Sequence, residues 1–215
     1  MNKCLYKAGV TALLLSVFLL HGCSSTRVTG VWKKSDYLGG PFATILVVGL
    51  TYDQSTKNIW EDVMADQLRK NGVKTTTSTR CFPGDPEITK DKILDYVSTQ
   101  GIEGVLVTRL VDVLEETRYY PPTASYYSGY YYGGHRYRYY NHFGTYYDMV
   151  YSPGYTATYT RVLLETNLYD AATQELVWSM SSDTFDPDST GKLAQSVSRK
   201  VIESLQKDNL ITSVR

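Results

Sequence analysis

Residues 43–50, ATILVVGL, decide the fold class of this chain. They are almost all apolar, and a run of this kind predicts a strand that is buried on both faces of a sheet. Apolar residues then recur at helical spacing, which predicts a helix packed on that strand. These residues are Ile59, Trp60, Val63, Met64 and Leu68.

The alternation of strand and helix continues along the chain. Residues 73–79 are β-branched and threonine-rich, which predicts a second strand that would run up to a loop at 81–86. Residues 89–100 predict a second helix and residues 104–116 a third strand. Three strands joined by two helices imply right-handed crossovers, so we expect these strands to be parallel.

The C-terminal part predicts an antiparallel hairpin and a last helix. Residues 156–170 and 175–182 predict two strands joined by a turn at 171–174. Apolar residues at every fourth position then mark the helix. They are Leu193, Val197, Val201 and Leu205. The order β-α-β-α-β, insertion, β-β-α predicts an α/β (α+β) fold, a single three-layer-like domain at 43–215 with a mixed sheet.

The insertion between the two halves has an unusual composition. Fifteen of the 41 residues from 119 to 159 are tyrosine, against five in the rest of the chain, and Gly, Ser, Pro and Arg fill much of the remainder. This composition marks a low-complexity segment. Tyrosine joins a rigid apolar ring to a polar tip at low entropic cost, so we interpret the insertion as a recognition surface.

The predicted partner-binding residues lie in the middle of this insertion. Its two arginines are expected to stack on rings or to pair with anionic groups. The predicted target is a protein, a glycan such as peptidoglycan, or a second copy of the chain, and the alternative is a flexible loop or β-extension that packs on itself. The full set is Tyr126, Tyr127, Tyr130, Tyr131, Tyr132, Arg136, Tyr137, Arg138, Tyr139 and Tyr140.

The N-terminus has the order of a secretory signal: positive residues, an apolar run at 8–20, and a small residue before a cysteine. The run is too short for a membrane span, which needs ~20 residues. Leu20, Gly22 and Cys23 resemble the lipobox of bacterial lipoproteins. The alternative is an ordinary signal peptide with a cysteine near the cut by chance.

The lipobox resemblance implies that residues 1–22 are removed and that Cys23 carries an N-acyl chain and an S-diacylglycerol. Several acyl chains anchor a protein permanently. In this class Ser24 implies sorting to the outer membrane, with the protein facing the periplasm. Residues 23–42 are polar and contain glycine, so we expect a lipidated tether. The 18 residues 24–41 would span at most about 60 Å.

Residues 167–179, NLYDAATQELVWS, resemble a phrase that recurs in small envelope lipoproteins of Gram-negative bacteria without an assigned biochemical role. The element order is also similar to the domain shared by the curli-secretion lipoprotein, the lipoprotein activators of penicillin-binding proteins and the N-terminal domain of the Tol translocation protein. These relatives are secretion, scaffold or activator proteins. The resemblance therefore implies a chain that is not an enzyme and needs no cofactor.

The charge balance and the cysteine count of the processed chain limit the classes of partner and of cross-link that it can form. Its 193 residues would carry 20 basic and 22 acidic side chains, and this near-neutral balance argues against nucleic-acid binding. Cys81 would be the one remaining thiol, which excludes an internal disulfide. Burial beside Phe82 is expected for Cys81, and an intermolecular bridge is the alternative.

Three groups of reactive side chains are weaker candidates. His135 and His142 with Asp148 lack the spacing of a metal site, so no metal is expected. No nucleophile motif surrounds Cys81, which argues against a thiol hydrolase. Glu115 and Glu116, near Asp112, are adjacent on a predicted strand and point to opposite faces, so they cannot flank one glycosidic bond.

The sequence thus predicts a non-enzymatic binding or scaffold lipoprotein of the cell envelope, with the tyrosine-rich segment as its contact surface. The first alternative is a lipoprotein that assembles into a homo-oligomer for secretion. The second is a hydrolase of envelope polymers.

Overall fold

The computed structural model describes residues 26–84, 88–126 and 149–212. The chain divides into two compact units, and each is described separately. The first unit comprises Met1–Val113 and Arg161–Arg215, and the second comprises Leu114–Thr160. The second unit therefore contains the predicted tyrosine-rich insertion.

Eight strands and four helices form the described part of the chain. The strands are β1 Thr26–Lys33, β2 Thr44–Leu50, β3 Lys74–Thr77, β4 Gly104–Tyr120, β5 Thr123–Tyr126, β6 Met149–Ser152, β7 Tyr155–Asp170 and β8 Leu176–Phe185. The helices are α1 Gln54–Lys70, α2 Ser78–Cys81, α3 Lys90–Gln100 and α4 Thr190–Lys207.

The six-stranded sheet has the order β1-β8-β7-β4-β2-β3. Strand β2 is parallel to both β3 and β4, whereas β8 is antiparallel to both β1 and β7. The side chains of Thr108 and Thr166 are hydrogen-bonded, and the Arg109 guanidinium donates to the Glu165 carboxylate. One step forward along β4 is therefore one step back along β7, so these two strands are antiparallel. The predicted α/β fold with a mixed sheet is confirmed.

Strand β2 is buried on both faces, as its composition predicts. Ile45 and Val47 belong to the larger apolar cluster, which also contains residues of α1 and α4. Leu46 and Val48 point to the other face and pack with Val97 of α3. The side chain of Leu46 is fully buried, and burial of a side chain of this size contributes about 1.5–3 kcal/mol.

The ends of the long helices have side-chain or glycine caps. The Asp53 carboxylate accepts the amide N–H of Thr56 at 2.7 Å at the start of α1. Gly72, with φ of 82°, follows the end of α1, where a left-handed glycine is favoured. Thr89 and Gly101 cap the two ends of α3. These caps satisfy backbone groups that the helices leave without partners.

The inner face of α1 differs from the predicted apolar stripe. Ile59 is 40% exposed, whereas Lys57 and Glu61 are buried with Trp60 and Met64. The spacing locates the helix correctly and misplaces its buried face by about one residue. The second predicted strand is also too long, because β3 ends at Thr77 and residues 78–81 turn into the short helix α2.

The segment that we interpreted as a tether contributes a strand to the sheet. Strand β1 pairs with β8 along its length, and Thr26 Oγ1 lies 2.8 Å from Thr184 Oγ1. Beyond β1, the Tyr37 ring stacks on the Phe42 ring at 5.8 Å. The expectation of a free tether is therefore wrong for Thr26–Lys33, because these residues find backbone partners on the open edge of β8.

Candidate functional site

The described residues of the second unit form strands. The ends of β4 and β7 belong to it, and β5 pairs antiparallel with β6 from Thr123 opposite Ser152 to Tyr126 opposite Met149. These strands flank the central part of the tyrosine-rich insertion in the sequence. Residues 127–148 lie outside the described part of the chain.

Tyr120, Tyr155 and Tyr159 of this unit are joined by one ring stack and one hydroxyl contact, and we call this group the ring ladder. The rings of Tyr120 and Tyr155 stack with centroids 4.9 Å apart and planes within 16°. The hydroxyl of Tyr120 lies 3.1 Å from that of Tyr159. This hydrogen bond and desolvation raise the pKa of Tyr159 above its usual value. These side-chain contacts link β4 to β7 in the second unit.

A cation lies against the end of this ladder. The guanidinium carbon of Arg118 is 5.8 Å from the centroid of the Tyr159 ring, and Arg118 donates to the Glu116 carboxylate at 2.7 Å. The hydrogen bond to Glu116 raises the pKa of Arg118. The pair keeps the local charge balanced while the guanidinium remains in reach of the ring.

Two tyrosines at the base of the insertion face outward. Tyr119 is 67% exposed and Tyr155 is 58% exposed. A Cβ added to Gly154 would lie 2.9 Å from the Tyr119 hydroxyl oxygen and 2.8 Å from Pro122 Cδ, so the glycine allows close packing there. Tyr155 is thus both stacked on Tyr120 and largely exposed, and rings held in this way suit contact with a mixed polar and apolar surface.

The residues that the sequence selects as functional fall mainly outside the described ranges. Tyr126 ends β5. The remaining predicted contact residues lie in 127–148, together with His135, His142 and Asp148, and Cys23 precedes the first described residue. These predictions therefore stay predictions.

Cys81 lies in α2 of the first unit and is half-buried. Its Sγ is 3.3 Å from Thr76 Oγ1, and a hydrogen bond with Cys81 raises the pKa of Tyr96. The Phe82 ring packs edge-on against Tyr96 at 5.5 Å. Cys81 thus has structural partners, although its burial is less complete than expected.

The carboxylates near the end of β4 do not converge. Glu115 and Glu116 are successive residues of the strand, and Glu115 is exposed. Glu116 is engaged with Arg118. Among the residues of 26–84, 88–126 and 149–212, no three His, Cys, Asp or Glu side chains are grouped closely enough to hold a metal ion.

A buried polar cluster in the first unit escaped the sequence analysis. The fully buried Glu61 carboxylate accepts the amide N–H groups of Gly49 and Thr79, each at 2.9 Å, and the Ser78 hydroxyl at 2.5 Å. The cluster joins the end of β2 to α1 and α2. Nothing in the spacing of α1 distinguishes Glu61 from the solvent-facing acids beside it, so no sequence signal could have found the cluster.

None of the helices in the described part of the chain is both long enough and apolar enough to cross a membrane.

No model of a known protein family matches the chain, and no curated protein matches it. Solved structures resemble it in outline. A PelC dodecamer from Paraburkholderia phytofirmans has a TM-score of 0.46 and 17% identity, over 86% of this chain and 99% of that chain. The lipoprotein GNA1162 from Neisseria meningitidis has a TM-score of 0.40 and 15% identity, over 77% of this chain and 99% of that one. Likenesses this distant carry no statement about what the chain binds.

Proposed function

We propose that this chain is a non-enzymatic lipoprotein of the outer membrane that faces the periplasm and acts as a binding or scaffold module. Cys23 carries the N-acyl chain and the S-diacylglycerol that hold it on the membrane. The tyrosine-rich segment of the second unit is the contact surface, and no cofactor takes part.

The observation that carries this proposal is the ring ladder at the base of the segment. Tyr120, Tyr155 and Tyr159 interact with one another, and Arg118 lies against Tyr159. An ordered aromatic base lowers the entropic cost of presenting further rings to a partner. The first unit serves as the support.

The arrangement of polar groups in the first unit supports a role without catalysis. The Glu61 carboxylate is shielded from solvent and is engaged by donors from β2 and α2. The Cys81 thiol lies against Thr76 and Tyr96. Such groups stabilise the fold and are not presented to a substrate.

The partner that suits this surface is an envelope protein or a glycan such as peptidoglycan. Tyrosine rings stack on sugar faces and on apolar side chains, and their hydroxyls bond to polar groups. The near-neutral charge of the chain argues against nucleic acid as the partner.

Photocrosslinking in cells tests the proposal. A photoreactive residue replaces Tyr131 or Tyr139 in the full-length lipoprotein, and the control position is Tyr52, a fully exposed tyrosine of the first unit. The expected result is a defined adduct from both segment positions that is absent at Tyr52. Equal adducts at all three positions, or none from the segment, contradict the proposal.

Removal of residues 125–145 is a second test of whether the tyrosine-rich segment is the contact surface. The variant should keep the unfolding transition of the first unit and lose co-purification of the crosslinked partner. A partner that is retained at full yield contradicts the assignment of the contact surface to this segment.

A second candidate function is assembly into a homo-oligomer. Leu110, Val111 and Val113 of β4 are 48–50% exposed, and contact between copies would cover them. Mass measurement of the lipoprotein in detergent decides this point, because a clean monomer at micromolar concentration contradicts assembly.

A further inference from the structure

Within the residues that the structure describes, the helices of the first unit leave part of one sheet face open. Trp178 and Met180 of β8 point into the larger apolar cluster, to which α1 and α4 contribute. Side chains alternate along a strand, so Ser179, Ser181 and Asp183 point to the opposite face. On that face α3 packs with β2, which lies toward the other side of the sheet. Ser181 is accordingly exposed.

The register of the sheet arranges side chains in rows on this open part. Residues that lie opposite each other on neighbouring antiparallel strands point to the same face. The first row consists of Trp32, Ser179 and Asn167, and the second of Gly30, Ser181 and Glu165. Each row therefore crosses β1, β8 and β7.

The second row forms the floor of a shallow groove. Gly30 has no side chain, and a Cβ built on it would meet no atom within 4 Å. Ser181 beside it is small and exposed. On one side the floor adjoins Trp32, which is 50% exposed, and on the other side it adjoins Arg27, which lies opposite Asp183. We call this feature the β1–β8 groove, and it has an aromatic wall and a charged wall.

Polar groups of β7 and β4 lie at the inner end of the β1–β8 groove. The Glu165 carboxylate accepts from the Asn167 amide at 2.7 Å and from the Arg109 guanidinium at 2.6 Å. Asn167 is 9% exposed, and its Oδ1 has no hydrogen-bond partner among the described residues. Buried acceptors normally have a donor, so a donor from a bound molecule would complete this group.

The size of this surface argues against a protein as its occupant. Residues 179–183 of β8 span about 14 Å, and the three strand spacings from β1 to β4 also span about 14 Å. The resulting patch of roughly 200 Å² is about a quarter of the ~800 Å² that each partner contributes to a stable protein interface. A second copy of the chain would therefore gain little there.

The chemistry of the groove suits a neutral sugar. The carboxylates of Glu165 and Asp183 are paired with Arg109 and Arg161, so they do not attract a strongly charged polymer. A sugar ring has an apolar face of C–H groups that stacks on an aromatic ring such as that of Trp32. Its hydroxyls both donate and accept, as the mixed polar groups around the floor require.

We propose that the β1–β8 groove binds a neutral glycan strand of the cell envelope. One sugar ring lies on Trp32, the strand runs over Gly30 and Ser181, and a sugar hydroxyl donates to Asn167 Oδ1. The groove belongs to the first unit, so the inference goes beyond the proposed contact surface and depends neither on the lipid anchor nor on the tyrosine-rich segment.

Tryptophan fluorescence tests the binding directly. The chain has three tryptophans, and Trp60 and Trp178 are buried, so acrylamide quenching reports mainly on Trp32. The full-length chain, in a detergent without a sugar headgroup, is titrated with the neutral hexasaccharide of N-acetylglucosamine. The expected result is a blue shift and protection of Trp32 from acrylamide. A spectrum and a quenching that do not change up to millimolar sugar contradict the proposal.

Calorimetric titration then compares variants that lack the aromatic wall. Trp32→Ala should weaken binding by about tenfold or more, and Trp32→Tyr should restore part of it. The matched control is Val31→Ala, because Val31 is 49% exposed on the same strand but lies opposite Met180, on the other face. Equal losses in Trp32→Ala and Val31→Ala contradict the proposal.

A filled groove provides a test that keeps Trp32 in place. Gly30→Leu places a side chain in the open space above the floor and should abolish binding while the unfolding midpoint stays within a few degrees of the wild type. Gly40→Leu is the control, since its added Cβ also meets no atom within 4 Å. Full affinity in Gly30→Leu contradicts binding in this groove.

Two further measurements separate the proposal from other occupants. The deacetylated, cationic hexasaccharide should bind no more tightly than the neutral one, and binding of the cationic sugar alone contradicts a neutral ligand. Removal of residues 125–145 should leave the response of Trp32 unchanged. If Trp32 is instead protected without sugar as the protein concentration rises, a second copy covers the groove and the proposal is wrong.

Discussion

The carboxylate of Glu61 lies 2.5 Å from the hydroxyl of Ser78 in a fully buried position, and this contact fixes the place where β3 gives way to α2. The same carboxylate accepts the amide N–H of Thr79, the next residue. Because the carboxylate binds both residues, the chain turns at Thr77 and does not extend the strand.

Glu61→Gln should lower the free energy of unfolding by about 1–3 kcal/mol. The glutamine amide nitrogen replaces one acceptor oxygen and leaves a buried donor without a partner. The matched control is Glu203→Gln, whose carboxylate is 53% exposed and pairs with Lys200, and a change below about 0.5 kcal/mol is expected there. Denaturant unfolding measures both, and equal effects would contradict the assigned role of Glu61.

Gly104→Ala should destabilise the first unit by about 1–3 kcal/mol through overpacking. A Cβ at this position would lie 2.9 Å from Phe42 Cδ1 and 3.2 Å from Leu168 Cδ1, and both side chains are buried. Gly40→Ala is the control, because its added Cβ meets no atom within 4 Å. Thermal unfolding compares the two, and an unchanged Gly104→Ala midpoint would show that the packing at Phe42 is loose.

Tyr37→Phe should remove an alkaline loss of stability. Desolvation, followed by the charge and hydrogen bond of Asp170, raises the pKa of Tyr37 from 10.0 to about 12. A raised pKa contributes stability that is complete below pH 10 and is lost as the pH rises toward 12. The variant keeps the ring that stacks on Phe42. The free energies of unfolding of the wild type and of Tyr37→Phe should therefore converge as the pH rises from 10 toward 12. The control Tyr52→Phe should follow the wild type throughout.

Asn167→Ala should weaken the fold by roughly 1–3 kcal/mol at neutral pH, and this difference should shrink in acid. The Asn167 side-chain amide donates to the Glu165 carboxylate at 2.7 Å. This hydrogen bond, and after it the Arg109 guanidinium, holds the pKa of Glu165 below its usual 4.5. A lowered pKa contributes stability above pH 4.5 that is lost as the pH falls through the folded value. Carboxyl NMR titration should show the Glu165 pKa rising in the variant.

If the pKa of Glu165 is unchanged in Asn167→Ala, the hydrogen bond from Asn167 does not lower it, and the prediction is contradicted. The control variant is Asn58→Ala. Its amide oxygen accepts from Gln54 on the exposed side of α1, and this substitution should leave the acid limb unaltered.

The parts of the fold that the sequence predicts are those with a local composition signal. Strand β2 is visible at 43–50 because burial on both faces requires an unbroken apolar run. Gly72 and Gly101 are visible because helix ends favour left-handed glycine. The antiparallel hairpin of β7 and β8 follows from its turn residues, where Asp170 accepts the amide N–H groups of Ala172 and Thr173.

The parts that escaped prediction depend on distant partners. Strand β1 is short, partly polar and mostly exposed, and its backbone partner is 158 residues away at Thr184. Glu61 is defined by Ser78 and Thr79, which approach it only after α1 has folded back. At the candidate site, composition locates the tyrosine-rich segment, but it does not indicate which rings stack and which face outward.

The pairing of β1 with β8 also determines which step of folding comes last. A chain exported from its N-terminus releases β1 first, yet the partner of β1 emerges only after nearly all of the chain has followed. Closing so long a loop is slow relative to local helix formation. In the lipoprotein that we propose, Cys23 holds the start of the chain at the membrane, so β8 would pair with β1 there and the sheet would be completed at the bilayer surface.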